Sequence, residues 1–191
     1  MFKSQKPAKY SPSHIANYFL AVAEGDKIKM TTLKLMKHVY FAYGIYLYLT
    51  NENLFDENIE AWRHGPVVPS IYHEFKNFGL YNPIKKGTYA TYLDPNDADP
   101  VPRKAIVEIY DINKDKGVNH AVCGSWFYFK DKNGDDLEEL THREGTAWSN
   151  LYKPGQNIIL NNSEEGIEMI KKEAEMYYKA SVEMLRSIKH K

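Results

Sequence analysis

At 191 residues, with 25 basic and 25 acidic side chains, the chain has no net charge and the size of one domain, or of one domain with appended segments. Its 43% hydrophobic and 26% charged residues suit a globular protein that buries a core without disulfide or metal. No stretch approaches the ~20 apolar residues of a membrane span, no apolar signal region follows the start, lone Cys123 makes no internal disulfide, and electroneutrality argues against bulk binding to nucleic acid, so the expected setting is cytoplasmic.

Residues 1–10 read as an N-terminal arm. A first helix follows, with Ser11 as its cap, Pro12 where a missing N–H costs nothing, and Gly25 as its stop. Ile15, Tyr18, Phe19 and Val22 give it one buried face. A second helix opens at Thr31 or Thr32 and runs to Thr50. Its apolar positions, from Leu33 and Leu35 through Val39, Tyr40, Phe41 and Tyr43 to Leu49, cover nearly the whole circumference. A helix apolar all round is central, and Lys34, Lys37 and His38 mark it as a core helix and not a span. After the polar turn Asn51-Glu52-Asn53, the segment from Leu54 to Arg63 alternates as a short strand or extended piece. Gly65-Pro66 breaks the chain, and Pro69 starts a third helix carrying Ile71, Tyr72 and Phe75 as far as Gly79.

Pro83, Pro95, Pro100 and Pro102 make 80–102 the least helical part, with a short strand expected at Tyr89–Leu93. Ile106 to Tyr110 suits helix or strand equally, because short apolar runs are ambiguous in period. Ala121–Phe129 reads as a buried helix, Asp135–Thr141 as a short helix with an acidic start, and a further one begins near Thr146 and holds Trp148 and Leu151. Asn162 and Glu165 have capping-box spacing before the last helix. There Ile167, Ile170, Ala174, Tyr177, Ser181, Leu185 and Ile188 form one narrow seam, packed on the chain's own domain or offered in part to another chain. The expected fold is mainly α: a single helical domain around a central buried helix at about 31–50, with a few short strands and a long C-terminal helix. Its expected parts are the body 11–160, with an irregular excursion at about 80–118, and the terminal helix 161–191.

The chemistry is marked first by what is missing. There is no phosphate loop, dinucleotide fingerprint, nucleophile elbow or zinc-protease helix, so no catalytic residue, metal or cofactor is expected. Cys123 follows His120 by three residues, but it sits in an apolar run with Trp126 and Phe127 and reads as a structural thiol. The seven histidines do not cluster in sequence; His64, His73 and His142 would have to be brought together by the fold. The acidic pairs Asp135-Asp136 and Glu138-Glu139 lie at a helix start, where solvated capping explains them.

The segment from Glu60 to Tyr72 stands out. It sets Trp62, Arg63 and His64 beside a rigid Gly65-Pro66 turn at the mouth of a helix, an arrangement that fixes where the two basic side chains point. The alternative is that Trp62 belongs to the core and Gly65-Pro66 is only a corner.

These residues carry a resemblance. The run from Leu33 to Gly44, including Leu35, Tyr40, Phe41 and Tyr43, then Phe55-Asp56, then Ile59 through Tyr72 with Trp62 and Gly65-Pro66-Val67, resembles the SocA-like antitoxin family. The family is also called the Panacea domain, and some of its members are described as phage-associated GepA-like proteins. Leu140-Thr141-His142 followed by Trp148 resembles its later threonine–histidine and tryptophan element, and the likeness spans about residues 11–160.

The resemblance implies a mainly helical antitoxin without established catalytic residues. Such a protein neutralises a cognate toxin by direct binding and in one type delivers it to a Clp protease. Protein interfaces lean on a few aromatic and Arg anchors, and the candidates here are Arg63, His64, Gly65, Pro66, Tyr72, His142 and Trp148. Two rival readings are a DNA-binding regulator that contacts phosphates through Lys3, Lys6, Lys9, Lys34, Lys37, Lys85 and Lys86, and an enzyme built on His64 and His142.

Overall fold

A computed structural model describes residues 8, 10–92, 103–104 and 114–189. In chain order these form α1 (Pro12–Gly25), α2 (Thr32–Thr50), β1 (Glu60–Trp62), β2 (Gly65–Val67), α3 (Pro69–Phe75) and a 3₁₀ turn (Lys76–Phe78). Then follow β3 (Thr91–Tyr92), β4 (Arg103–Lys104), α4 (Lys116–Phe129), α5 (Gly134–His142), α6 (Ala147–Leu151), β5 (Ile158–Ile159) and α7 (Glu164–Lys189). The architecture is mainly helical, with a small sheet and a long C-terminal helix. Among the described residues, no helix is long and apolar enough to cross a membrane.

The centre is α2. Every residue from Thr32 to Ile45 is buried, and α1, α3, α4, α5 and α7 all pack against it. Phe41 stacks on Phe129 with ring centroids 4.2 Å apart, and Tyr177 of α7 meets Phe41 edge-on at 5.2 Å. Gly44 lets α7 come close, since a Cβ there would lie 3.1 Å from Ala174 Cβ.

The polar residues of α2 do not interrupt this core; they fasten its surroundings. Thr32 Oγ1 donates to Phe75 O at 3.2 Å, Lys34 Nζ to Lys130 O, and Lys37 Nζ to His64 O. His38 Nδ1 lies 3.1 Å from Ser125 Oγ. Burial holds His38 well below its ordinary value, at about 3, so the ring is neutral. Lys34 and Lys37 are 5% and 0% exposed, which removes both from the lysines read as phosphate contacts. A periodicity argument sees only their charge, whereas the long stem carries the ammonium to a carbonyl on a neighbouring element.

The sheet order is β2-β1-β5, antiparallel throughout. Here the expected Gly65-Pro66 corner is corrected: both residues are strand residues, pairing with Trp62 and Ala61, and the turn is Arg63-His64. The extended segment expected from Leu54 is regular only over Glu60–Trp62. The cap of α7 is also one residue later than expected. Ser163, not Asn162, accepts the Gly166 N–H at 3.1 Å through its hydroxyl and the Ile167 N–H at 3.0 Å through its carbonyl.

The α7 seam is buried at Ile170, Ala174, Tyr177 and Ser181, where it packs on α2 and α4. Asn17 holds the start of the excursion, donating to Ala90 O at 3.0 Å and accepting from Ala90 N at 2.6 Å. The next residues, Thr91 and Tyr92, form the expected strand and pair with Lys104 and Arg103. The ambiguous run Ile106–Tyr110 lies outside the described residues.

Candidate partner-binding site

The site begins with the hairpin. Its two-residue turn is Arg63-His64, and the positive φ that closes it falls on Gly65, at +96°. The pairing continues one-to-one from Trp62–Gly65, so the glycine is the first residue of β2 and takes the turn's left-handed step without a bulge. A Cβ on Gly65 would fall on Lys37 Nζ and lie 2.6 Å from Thr141 Oγ1. Gly65 is therefore required twice, by its dihedral and by the approach of the lysine beneath it.

Lys37 Nζ donates to His64 O and, at 3.4 Å, to Pro66 O, so the ammonium is clamped to both arms of the turn. Burial pushes Lys37 down from its ordinary 10.5 to about 7, against the pull of Glu138 and Glu173.

α5 closes the turn from the other side. His64 Nδ1 donates to Glu138, 3.0 Å from Oε1. His142 Nδ1 donates to Glu138 O at 2.6 Å, and its Nε2 lies 3.3 Å from Arg63 O. The ring of His142 sits 3.6 Å from the Trp148 ring, and Trp148 Nε1 donates to Trp62 O at 2.7 Å. Trp148 also stacks on Tyr152 at 4.5 Å with the planes only 14° apart. On the hairpin's far edge Trp62 donates through Nε1 to Glu60 Oε2 at 2.7 Å and meets Tyr72 edge-on at 4.8 Å. The start of α6 is tied to α5 by Thr146, whose hydroxyl donates to Thr141 O at 2.7 Å and accepts from Ser149 N.

The outcome is a ridge of half-buried rings, Tyr72, Trp62, Trp148 and Tyr152, with His64 and His142 between them and the Arg63 side chain exposed at the tip. The structure thus brings Arg63, His64, Tyr72, His142 and Trp148 to one surface. Gly65 and Pro66 are buried beneath it, shaping the turn and making no outward surface. Trp62 is half-buried and joins the ridge, whereas Leu33, Leu35, Tyr40, Phe41, Tyr43 and Gly44 are all core.

His73 is exposed, and its ring meets Trp62 from the Tyr72 side at 6.5 Å, away from His142. Among the described residues no group of three His, Cys, Asp or Glu side chains is placed to hold a metal ion. Cys123 is half-buried, its Sγ 3.8 Å from Tyr18 Oη, and burial raises its thiol above the ordinary value.

Two residues escaped the sequence reading. Glu138 sits where its sequence position suggests only solvated capping, yet its carboxylate takes His64 and its carbonyl takes His142. Glu173 had no motif around it, yet it is 4% exposed and takes the Tyr40 hydroxyl at 2.7 Å. Its one sequence signal was position: it is an acid beside Ala174 on the apolar seam.

Comparison with known proteins adds a family likeness. The pattern described as "Antitoxin SocA-like, Panacea domain" matches residues 35–149, which takes in all but the first turn of α2, the hairpin, α5 and Trp148. The protein Antitoxin SocA of Caulobacter vibrioides (strain NA1000 / CB15N) is 30% identical over 104 residues, 50% of this chain and 55% of that protein. The chain thus spans about half the length of the curated relative it matches. No solved structure matches it.

Proposed function

This chain belongs to the family of SocA-like antitoxins with a Panacea domain, and we propose on that premise that it neutralises a cognate toxin by binding it through the hairpin ridge. The observation that carries the reading is the combination of exposure and rigidity at Arg63. The turn beneath it is held by Lys37, Glu138 and His142, so the backbone that carries Arg63 is fixed beside the flanking half-buried rings. Aromatic rings held in place and an Arg on a fixed backbone are the kind of groups that anchor protein interfaces.

Co-expression tests the reading. The protein rescues cells from its toxin and co-purifies with it, and Trp148→Ala or Arg63→Glu abolishes both while the chain stays folded. A toxin that keeps full activity with this protein in excess refutes neutralisation by binding. The abundance of the toxin separates the two modes the family suggests: occlusion leaves it unchanged, and delivery to a Clp protease lowers it.

A further inference from the structure

Where the end of α1 meets the segment 83–88 lies a cleft of about 290 Å³, and none of its lining residues belongs to the hairpin ridge. Its two walls are tied together: Ile84 N donates to Met30 O at 2.8 Å, and Thr31 bridges Pro83. The aliphatic surface open within it comes from half-buried Ile28 and exposed Pro83, backed by buried Leu20, Met30 and Ile84. Four lysines line it, Lys27 and Lys29 from one wall and Lys85 and Lys86 from the other, and all four are exposed.

This positive charge is largely uncompensated. Glu24 is the one acid among the described residues of the lining, and Lys86 pairs with it at 3.2 Å. The next acid in the chain, Asp26, lies outside the lining and accepts from Trp126 Nε1 at 3.0 Å and Lys130 Nζ at 3.1 Å. Lys27, Lys29 and Lys85 have no carboxylate within ion-pair distance among the described residues. In a chain whose basic and acidic side chains are equal in number, unpaired lysines gathered at one recess make a local positive field. The described lining holds no aromatic ring for a base to stack on, and no Arg, Asn or Gln to read one. A sugar-phosphate strand would also leave Ile28 uncovered, so the recess suits a carboxylate-bearing peptide better than a nucleic acid.

We propose that this cleft docks an acidic segment of a partner protein, with one aliphatic side chain set against Ile28 and Pro83 and the carboxylates beside it meeting the lysines of both walls. The lysine stems add apolar contact along their length while the ammonium groups stay in water, so little desolvation is asked of them. Exposed ion pairs are individually weak, so affinity rests on several lysines acting together and on burial of the aliphatic group. The site is independent of the hairpin ridge and is measured on the isolated protein, so its failure and that of toxin neutralisation are told apart.

The test is an NMR titration of the full chain with an acetylated, amidated Glu-Glu-Leu-Glu-Glu peptide at low ionic strength. The backbone amides of residues 27–30 and 84–88 are expected to shift saturably, and binding is expected to weaken as salt is added. A counterpart with glutamine in place of glutamate is expected to bind about tenfold more weakly or worse, and one with alanine in place of leucine also more weakly. Lys29→Glu combined with Lys85→Glu changes two exposed positions, and the same spectra report that the chain is folded. It is expected to lower affinity for the acidic peptide about tenfold or more. No saturable shift at millimolar peptide, equal binding of the glutamine or alanine peptide, or undiminished binding by the double variant overturns the proposal. Tighter binding of a single-stranded oligothymidylate at the same residues overturns it in favour of a phosphate-binding surface for nucleic acid.

Discussion

Lys37 and Glu173 are both buried charges next to the central helix, and the fold treats them in opposite ways. Lys37 spends its ammonium on two carbonyls of one turn, His64 O and Pro66 O, and the glycine between them leaves the space for it. Glu173 is paired at Oε2 and unpaired at Oε1. The first is a closed account of donors and acceptors, which is what rigidifies the surface above it. The second leaves one oxygen without a donor in a place closed to solvent, which favours the protonated carboxyl. Buried charge alone therefore says little about role; the count of met and unmet bonds marks Lys37 as the strut.

The sharpest way to break the closed arrangement is Gly65→Ala. It asks a Cβ to occupy the place of Lys37 Nζ at a φ that L-residues rarely adopt, so the loss of stability is expected to reach about 4 kcal/mol, read by urea unfolding. Next comes Lys37→Ala, which leaves two carbonyls of the turn without their donor and opens a cavity in the core. Its expected cost is about 3 kcal/mol. Glu173→Gln keeps an acceptor for Tyr40 and removes only the charge, so its cost is expected within about 1 kcal/mol. A reversed order, with Glu173→Gln the costlier change, would make Glu173 the strut.

Titration distinguishes the same two groups by sign. Burial pushes Glu173 up from its ordinary 4.5 to about 7, opposed by the bonds from Tyr40 and Ala147 and by Lys37. Its contribution to stability is fully present below pH 4.5 and is lost as the pH rises through about 7. Lys37 runs the other way. With its value depressed to about 7, its contribution is present above pH 10.5 and is lost as the pH falls through about 7. Unfolding free energies measured across this range should therefore show wild type losing ground to Glu173→Gln between pH 4.5 and 7. Wild type should gain ground on Lys37→Met between pH 7 and 10.5. Parallel profiles would mean that neither group is perturbed by the fold.

How much of this was legible before the structure follows from how local each determinant is. Ser11-Pro12, Thr31 and Pro69 mark helix starts through groups a few residues apart, and α1, α2 and α3 begin where they indicate. The all-round apolar pattern of α2 correctly placed it at the centre. A glycine-proline pair signals a turn by composition, while here the glycine's positive φ closes a hairpin turn made by the two residues before it, and proline's missing N–H is tolerated in β2, an edge strand of this sheet. Lys37, Glu138 and Glu173 were invisible as partners because their contacts join residues tens of positions apart. Only the packing of α2 against the hairpin, α5 and α7 brings them together. Arg63, His64, Tyr72, His142 and Trp148 come together because the hairpin, α3, α5 and α6 are joined by long-range contacts; their role as anchors is part of the proposal.

The smallest expected effect on stability is the one that bears most on the proposed interface. Arg63 is exposed at the turn, and the site uses its backbone carbonyl, which His142 Nε2 approaches at 3.3 Å. Arg63→Ala keeps that carbonyl and the Lys37 clamp, so unfolding free energy should move by no more than about 0.5 kcal/mol. An exposed arginine held at the tip of a rigid turn nonetheless has the character of an interface anchor, and its loss is expected to weaken toxin binding about tenfold or more. A change in binding without a change in folding would assign the ridge to recognition. If both stay unchanged while Trp148→Ala destabilises the chain, the rings serve to lock the hairpin onto α5 and α6. Recognition must then lie on another face.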